Sequence, residues 1–215
     1  MPNGWLEPVP QVHIVPSPRT TPLERGAPEG VVWHWTGGPA LGPAYAAALA
    51  QEIATYDPAK DRAASWHFLV AKDGRVFQSV ATSRGSWHVG VGGVIAGHSR
   101  ANINHSTVGI ELENSGFLAV VDHGYRCEGY PATPIPVERG VRIADGVFVD
   151  EFPPAQVAAA AELLRALVEH HGLAREVCAY GHAQFDPPRR RDPGPLWIQQ
   201  HLPRVLDAVF ASRSA

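Results

Sequence analysis

The run from residue 154 to residue 171 constrains the fold most, because it predicts a long helix with one apolar face. Pro154 stands where the first turn of a helix accepts proline, and Gly172 stands where a left-handed residue commonly ends one. Apolar side chains recur between them at steps of three or four residues, at Val157, Ala160, Leu164 and Leu167. Such a face must be buried, and we expect it to pack against a sheet.

Four short runs predict the strands of that sheet. Residues 31–36 (VVWHWT) are β-branched or aromatic and end at Gly-Gly-Pro, which is typical of a buried strand followed by a loop. Residues 66–71 and 75–80 lie on either side of an Asp-Gly step and predict a hairpin. Residues 107–114 (TVGIELEN) alternate between apolar and other side chains, so we expect a strand with two different faces.

The remaining segments have weaker patterns. Residues 43–56 are rich in alanine, show helical spacing and end at Asp-Pro, which predicts a helix. Residues 84–105 contain five glycines and predict mostly loop. Residues 115–154 mix short apolar runs with proline and glycine, and we interpret them as an insertion with room for a small hairpin. Residues 177–180 predict a short strand, and residues 196–212 predict a terminal helix interrupted near its proline.

Helices and strands therefore mix along one chain of 215 residues, which fits a single α/β or α+β domain. We expect residues 1–30 to form an arm packed on the domain and residues 31–212 to form the domain itself. No apolar run has transmembrane length, and the amino terminus lacks the basic and apolar parts of a signal peptide. We therefore expect a protein that is cytoplasmic as synthesised, with a monomer as the default state.

Composition narrows the functional classes. The formal net charge of -3 gives no electrostatic case for binding nucleic acid. Cys127 and Cys178 are too few for a disulfide framework, so we expect free thiols. The motifs H-E-x-x-H, G-x-S-x-G, the P-loop and G-x-G-x-x-G do not occur, which argues against those enzyme classes. The 11 histidines, in contrast, justify a search for a metal site.

Two histidines and one aspartate make a chemically complete ligand set for zinc. His34 lies near the end of the first predicted strand, and His182 and Asp192 lie in the loop that follows residues 177–180. A catalytic zinc takes three protein ligands of this kind and keeps a fourth position for water. Spacing alone does not bring the three together, because 148 residues separate His34 from His182. Taken singly, each histidine is more readily explained as a structural residue.

Five ordered motifs resemble one enzyme family. They are VVWHWTGGP, SWHFLVAKDGRVFQ, SWHVG, STVGIELEN and GHAQFDPPRRRDPGPLW. With these motifs the chain is similar to the zinc N-acetylmuramoyl-L-alanine amidases of the second amidase family, which also includes animal peptidoglycan recognition proteins and phage amidase lysins. The resemblance implies one α/β domain with a mixed central β-sheet flanked by helices. It also implies hydrolysis of the amide between N-acetylmuramic acid and L-alanine in peptidoglycan or muropeptides.

The resemblance implies a role for each matching residue. One Zn²⁺ ion would be held by His34, His182 and Asp192. Glu111 matches the catalytic glutamate, with Glu113 on the same predicted face as the fallback. Arg190 stands where many members carry lysine, and His88 in SWHVG matches a position near the substrate. Glu111 could take a proton from a zinc-activated water and deliver it to the departing amine. Arg190 could stabilise an oxyanion, because a guanidinium stays protonated.

Other interpretations stay open at this point. Glu111 could be an exposed strand residue, and Arg190 could belong to a solvated basic loop. The chain could be a non-catalytic peptidoglycan-binding module, although all three ligand positions are filled. It could also be a zinc peptidase that cuts within the stem peptide. A missing signal peptide fits a recycling enzyme for muropeptides, and it equally fits a phage lysin that another protein releases to the cell wall.

Overall fold

The computed structural model describes residues 2–6, 12–57 and 64–211. This part of the chain contains thirteen strands. They are β1 (Val12–Ile14), β2 (Gly30–Trp35), β3 (Phe68–Val70), β4 (Val76–Gln78), β5 (Gly93–Ile95), β6 (His98–Arg100), β7 (Thr107–Leu112), β8 (Phe117–Val121), β9 (Gly124–Cys127), β10 (Tyr130–Ile135), β11 (Gly140–Ala144), β12 (Val147–Asp150) and β13 (Tyr180–Gly181). The helices are α1 (Pro43–Thr55), α2 (Pro154–His171), α3 (Gly194–Leu196) and α4 (Leu202–Phe210). Between α3 and α4 the chain is π-helical over Trp197–His201.

Six strands form the central sheet in the order β1-β4-β3-β7-β2-β13. Strands β3 and β4 are antiparallel, and the other neighbouring pairs are parallel. The sheet is therefore mixed, as the family resemblance implied. The expected irregular arm contributes β1 at one edge of this sheet, and its Leu6 is buried in the main core. Residues 1 and 7–11 of the arm lie outside the described residues.

The two faces of the sheet are covered differently. On one face, α2 and the carboxyl-terminal helical segment pack on apolar residues of β2, β3 and β7, such as Trp33, Phe68 and Ile110. On the other face, α1 packs on Leu69 and Phe77. Because side chains alternate along a strand, the residues between the core positions of β2 and β7 point to this second face. Helices thus flank the sheet, which confirms the expected fold class.

The strongest sequence patterns are confirmed as elements. The predicted hairpin forms from β3 and β4, and the strands predicted at residues 31–36 and 107–114 are β2 and β7. Helix α2 has the predicted bounds, and Gly172 ends it with a φ of 66°. Helix α1 ends at Thr55, one residue before the predicted end. These segments share long periodic patterns and clear end signals.

Of the two predictions of irregular structure, the one for residues 84–105 is confirmed as mostly loop apart from one short hairpin, and the one for residues 115–154 was wrong in the extent of its strands. Residues 84–105 include an antiparallel hairpin of β5 and β6. Its turn residues Ala96 and Gly97 have φ values of 50° and 78°, a conformation that alanine rarely signals. Residues 115–154 contain a five-stranded antiparallel sheet in the order β10-β9-β8-β12-β11 rather than a small hairpin. Its strands are short and few of their residues are buried in the small core, so their sequences lack a strong apolar alternation.

Two predictions near the carboxyl terminus also need correction. The strand predicted at residues 177–180 is a 3₁₀ turn over Glu176–Cys178 followed by the two-residue strand β13. The terminal helix starts at Gly194, earlier than predicted, and near Pro203 its α-helical pattern is interrupted, as predicted, but the helix is not broken. Instead, the Leu202 N–H donates to the Trp197 carbonyl, so the π-helical segment leads directly into α4, where proline occupies the first turn. None of the described helices combines the length and apolarity needed to span a membrane.

Candidate functional site

Three side chains meet where β2 and β13 end at the same edge of the central sheet. Strand β13 pairs with β2 in parallel, and Gly181 stands opposite Trp33. The next residues, His34 and His182, therefore come side by side. Asp192 reaches the same place from the loop that follows. The structure thus brings together the three residues that the sequence could not place by spacing.

The three ligand atoms form a nearly equilateral triangle. His34 Nδ1 lies 3.0 Å from His182 Nδ1, and each of these nitrogens lies 3.0 Å from Asp192 Oδ2. The centre of such a triangle lies roughly 1.7 Å from each corner, so an ion at zinc–ligand distances of about 2.0–2.2 Å can contact all three atoms. The three residues are buried, and their oxygen and nitrogen donors suit a divalent ion.

The protonation states also suit a metal site. Burial opposes ionisation of Asp192, but hydrogen bonds from His182 and His34 outweigh it and lower the pKa of this carboxyl. Burial lowers the pKa of His34 in spite of the nearby Asp192 charge. At neutral pH the site therefore presents an ionised carboxylate and a neutral imidazole at His34. These are the forms that bind metal ions.

Glu111 lies beside this cluster, on the second face of the sheet. Its residue position on β7 is paired with His34 on β2. Its Oε2 atom is buried and has no hydrogen-bond partner in the described part of the protein. Burial and the Asp192 charge raise the pKa of Glu111 well above its usual value, while the Arg190 charge acts in the opposite direction. A carboxyl with a raised pKa is suited to accept and return a proton.

Arg190 differs from the arginines beside it. Arg189 forms an ion pair with Asp186, and Arg191 forms one with Glu128. Within residues 2–6, 12–57 and 64–211, no hydrogen bond or ion pair engages the guanidinium of Arg190. Its positive charge acts to lower the pKa values of His34 and Glu111, although burial and the Asp192 charge still leave the pKa of Glu111 raised. An uncommitted cation of this kind can stabilise negative charge that develops near the site.

Two clefts meet at Arg190. One has a volume of about 270 Å³ and is lined mainly by polar residues, among them Arg19, Trp87, His88, Asn104 and Arg190. The other has a volume of about 470 Å³, and its walls include Phe117, Arg190, Asp192, Pro193 and Ile198. The first cleft contains His88, which contacts His34, and the second contains Asp192. A substrate that extends along both clefts would therefore pass the cluster of His34, His182 and Asp192.

The match to a family model decides which family this chain belongs to. The model described as N-acetylmuramoyl-L-alanine amidase matches residues 24–195, a segment that contains all three cluster residues, Glu111 and Arg190. The chain belongs to this amidase family.

Two curated relatives from Escherichia coli K12 support this assignment. The chain is 27% identical to the N-acetylmuramoyl-L-alanine amidase AmiD over 149 residues, which are 66% of this chain and 44% of AmiD. It is 28% identical to the 1,6-anhydro-N-acetylmuramyl-L-alanine amidase AmpD over 134 residues, which are 62% of this chain and 53% of AmpD. The chain thus spans about half the length of the curated relatives it matches.

A solved structure shows that the fold is shared. The crystal structure of a selenomethionine derivative of AmpD is similar to this chain with a TM-score of 0.58 and 22% sequence identity. The similarity covers 94% of this chain and 97% of that chain. The amidase fold therefore extends over nearly the whole chain.

Three further residues shape the site of this amidase-family chain. The ring of the buried His88 lies between His34 and Thr107, with its Nδ1 2.9 Å from His34 Nε2 and its Nε2 3.2 Å from Thr107 Oγ1. The Asn104 side-chain oxygen accepts hydrogen bonds from the backbone N–H groups of residues 88–90. No sequence pattern singled out Thr107 or Asn104. The alternation of β7 could have indicated Thr107, because it shares a face with Glu111.

Glu113, the fallback for the catalytic carboxylate, has structural partners. Its Oε1 accepts a hydrogen bond from the Gly42 N–H, and its Oε2 accepts one from the Lys72 N–H. These bonds tie the end of β7 to the start of α1 and to the hairpin turn. Both carboxylate oxygens of Glu113 therefore accept structural hydrogen bonds, which favours Glu111 as the carboxylate with a chemical role.

Proposed function

We propose that this chain hydrolyses the amide between N-acetylmuramic acid and L-alanine in peptidoglycan or muropeptides, with one Zn²⁺ ion held by His34, His182 and Asp192. The proposal depends mainly on one observation, the triangle of three buried ligand atoms spaced 3.0 Å apart. The names of AmiD and AmpD both specify an amidase acting at a muramyl-L-alanine linkage. Their names support the same bond as the substrate of this chain.

Glu111 is the proton carrier in this proposal. A zinc ion, when bound, supplies Lewis-acid chemistry that makes water nucleophilic near neutral pH and polarises a carbonyl. Glu111 accepts the proton that the attacking water loses and returns it to the nitrogen of the departing L-alanine. Arg190 stabilises the negative charge that develops on the carbonyl oxygen. Water adds across the amide in this sequence, and the products are a free lactyl carboxylate and a free amine.

The two clefts suit the two sides of that amide. Carboxylates of the stem peptide fit the cleft lined by Arg19 and Arg190, because arginine recognises carboxylates well. His88 belongs to the wall of this cleft and stays our candidate for a residue near the substrate. The cleft with Phe117 and Ile198 offers apolar surface for a sugar ring.

The test begins with the purified full chain and metal analysis, followed by incubation with a soluble 1,6-anhydromuramyl peptide and, separately, with intact sacculi. We expect about one zinc per chain, and mass spectrometry should show release of the intact stem peptide. A chelator should abolish turnover, and added Zn²⁺ should restore it. His34→Ala should lose both metal and activity, whereas His98→Ala, which changes an exposed histidine, should retain both.

Each alternative function predicts a different result. Binding to sacculi without turnover and without metal would indicate a binding module. Cleavage between amino acids of the stem would indicate a peptidase. If the amidase activity is present, faster cleavage of sacculi than of the soluble fragment would favour a lysin that acts on the cell wall, and the reverse would favour recycling of muropeptides.

A further inference from the structure

Thr107, His88 and His34 form a continuous line of hydrogen-bonding groups that ends at the proposed metal site. Thr107 Oγ1 lies 2.9 Å from the Ile103 carbonyl oxygen and 3.2 Å from His88 Nε2. The other ring nitrogen of His88, Nδ1, lies 2.9 Å from His34 Nε2. The remaining ring nitrogen of His34, Nδ1, faces His182 and Asp192. In each imidazole, Nε2 thus faces toward Thr107 and Nδ1 faces toward the proposed metal site.

The direction of these hydrogen bonds can be worked out from Thr107. A carbonyl oxygen only accepts, so the short contact between Thr107 and Ile103 requires the hydroxyl hydrogen of Thr107. This leaves Thr107 no proton for His88, and its oxygen must accept one from His88 Nε2. Because His88 is buried and its ring nitrogens contact two uncharged groups, the Thr107 hydroxyl and the His34 imidazole, the neutral imidazole with a single ring proton is favoured. His88 Nδ1 is therefore an acceptor.

We infer that Thr107 and His88 fix His34 in the tautomer that carries its proton on Nε2 and directs the Nδ1 lone pair toward the metal site. An acceptor at His88 Nδ1 requires a donor at His34 Nε2, 2.9 Å away. A neutral imidazole has one proton, so in this tautomer Nδ1 of His34 has a lone pair for a metal ion, which would replace the hydrogen bond between Nδ1 and Asp192. Thr107 and His88 are positioning residues in this arrangement, which rests on the metal site proposed above.

The packing around His88 holds its ring in this line. A Cβ atom at residue 109 would lie 2.6 Å from His88 Cγ, so only glycine leaves room for the ring against β7. The hydrogen bonds from residues 88–90 to Asn104 fix the backbone. Both ring nitrogens of His88 have protein partners, so a substrate in the adjoining cleft would meet only ring carbons. In contrast, the buried Nε2 atom of His182 has no partner among the described residues.

Nuclear magnetic resonance of ¹⁵N-labelled full-length chain tests the inference directly. The ¹⁵N shifts of imidazole nitrogens distinguish protonated from unprotonated positions. We expect Nε2 to be protonated and Nδ1 unprotonated in His88 with and without zinc, and in His34 once zinc has replaced the hydrogen bond between its Nδ1 and Asp192. In Thr107→Val, which keeps the shape but removes the acceptor, we expect His88 to lose its single tautomer. Protonation of His88 Nδ1 in the unmodified chain would overturn the inference.

Metal affinity, measured by competition with a chelator, gives a second readout. Loss of a partner that orients a metal ligand typically costs about 10–100-fold in affinity, and we expect this for Thr107→Val and His88→Leu. Thr107→Ser keeps the hydroxyl, and His88→Asn keeps an acceptor near the position of Nδ1. Both should stay within about threefold of the original affinity, well below that typical loss. Adding Thr107→Val to His88→Asn should have no further effect, because asparagine is too short to reach Thr107.

A matched control exists at the end of α2. There His171 Nε2 lies 3.0 Å from Thr82 Oγ1, and Thr82 donates to the Gly4 carbonyl, so the same chemistry occurs away from the metal ligands. Thr82→Val should leave metal affinity unchanged. Equal affinities of Thr107→Val and the unmodified chain would overturn the inference while the amidase proposal stands. If the unmodified chain binds no zinc but His88 shows the expected tautomer, the amidase proposal fails and the hydrogen-bonded line stands.

Discussion

His34 and Glu111 occupy paired positions on the neighbouring parallel strands β2 and β7, and both side chains point to the same face of the sheet. The sheet ladder therefore sets the distance between a proposed metal ligand and the proposed proton carrier. A slip of one residue in this pairing would move Glu111 to the face covered by α2 and separate the two groups. The central pairing of the fold is thus also the scaffold of the chemistry.

Glu111→Gln should abolish most of the hydrolysis while leaving the metal in place. Glutamine keeps the size of the side chain but cannot accept the water proton, and loss of a general base typically lowers kcat about 10²–10⁴-fold. Zinc content should be unchanged, because Glu111 is not among the three ligand residues. Steady-state kinetics with metal analysis checks both points. A variant that keeps full activity would remove Glu111 from the mechanism and redirect attention to other carboxylates.

The same variant should be more stable than the unmodified chain at neutral pH. Burial and the Asp192 charge raise the pKa of Glu111 in the folded state, so the folded chain binds more protons than the unfolded chain between the ordinary value of 4.5 and the raised pKa. The free energy of unfolding must then fall as the pH rises through this window. Glutamine does not titrate, so Glu111→Gln removes this fall in the free energy of unfolding. Denaturant unfolding of both chains with chelator present should show a stability gap that widens above pH 4.5.

Arg190→Ala should reduce kcat about 100-fold or more, because it removes a cation beside the reacting carbonyl. Arg190→Lys should recover a substantial part of kcat, since lysine restores the positive charge. The exposed Arg142, which pairs with Asp145 on the small antiparallel sheet, provides a matched control. Arg142→Ala should leave the kinetics unchanged. A rise in KM for Arg190→Ala with unchanged kcat would instead assign this residue to ground-state binding.

The sequence predicted the elements that have long periodic patterns, and it failed where local signals are weak. Helix α2 has apolar residues at helical spacing, strand β7 alternates, and strand β2 is rich in β-branched and aromatic residues. The turn at Ala96 places alanine at a positive φ, which its sequence does not signal. The small sheet of residues 115–154 depends on tertiary contacts, such as the packing of Leu118, Cys127 and Ile135, and a short strand shows little sequence pattern for them.

The candidate site was predictable only in part, for a related reason. The identities of His34, His182 and Asp192 follow from the motifs, but their convergence depends on the parallel pairing of β13 with β2, which no local pattern encodes. The contribution of Thr107 depends on where one hydroxyl proton points. Such information comes from distances between atoms, and the sequence does not contain it in readable form.

His67 should make the fold sensitive to mild acid. This residue is fully buried, its Nδ1 accepts a hydrogen bond from the Gly109 N–H at 3.0 Å, and its Nε2 donates to the Arg84 carbonyl at 2.8 Å. Both nitrogens are therefore engaged in the neutral form. Burial lowers the pKa of His67 from 6.5 to about 4, so the unfolded chain binds the proton first as the pH falls.

The free energy of unfolding should consequently decrease between pH 6.5 and about pH 4. The full shift corresponds to about 3 kcal/mol for a buried group. His67→Asn keeps an acceptor for the Gly109 N–H and does not titrate, so its unfolding free energy should start lower but change less across this range. His98→Ala, at an exposed histidine, should keep the original slope. Denaturant titrations with chelator present measure the three slopes, and equal slopes for His67→Asn and the unmodified chain would refute the assignment.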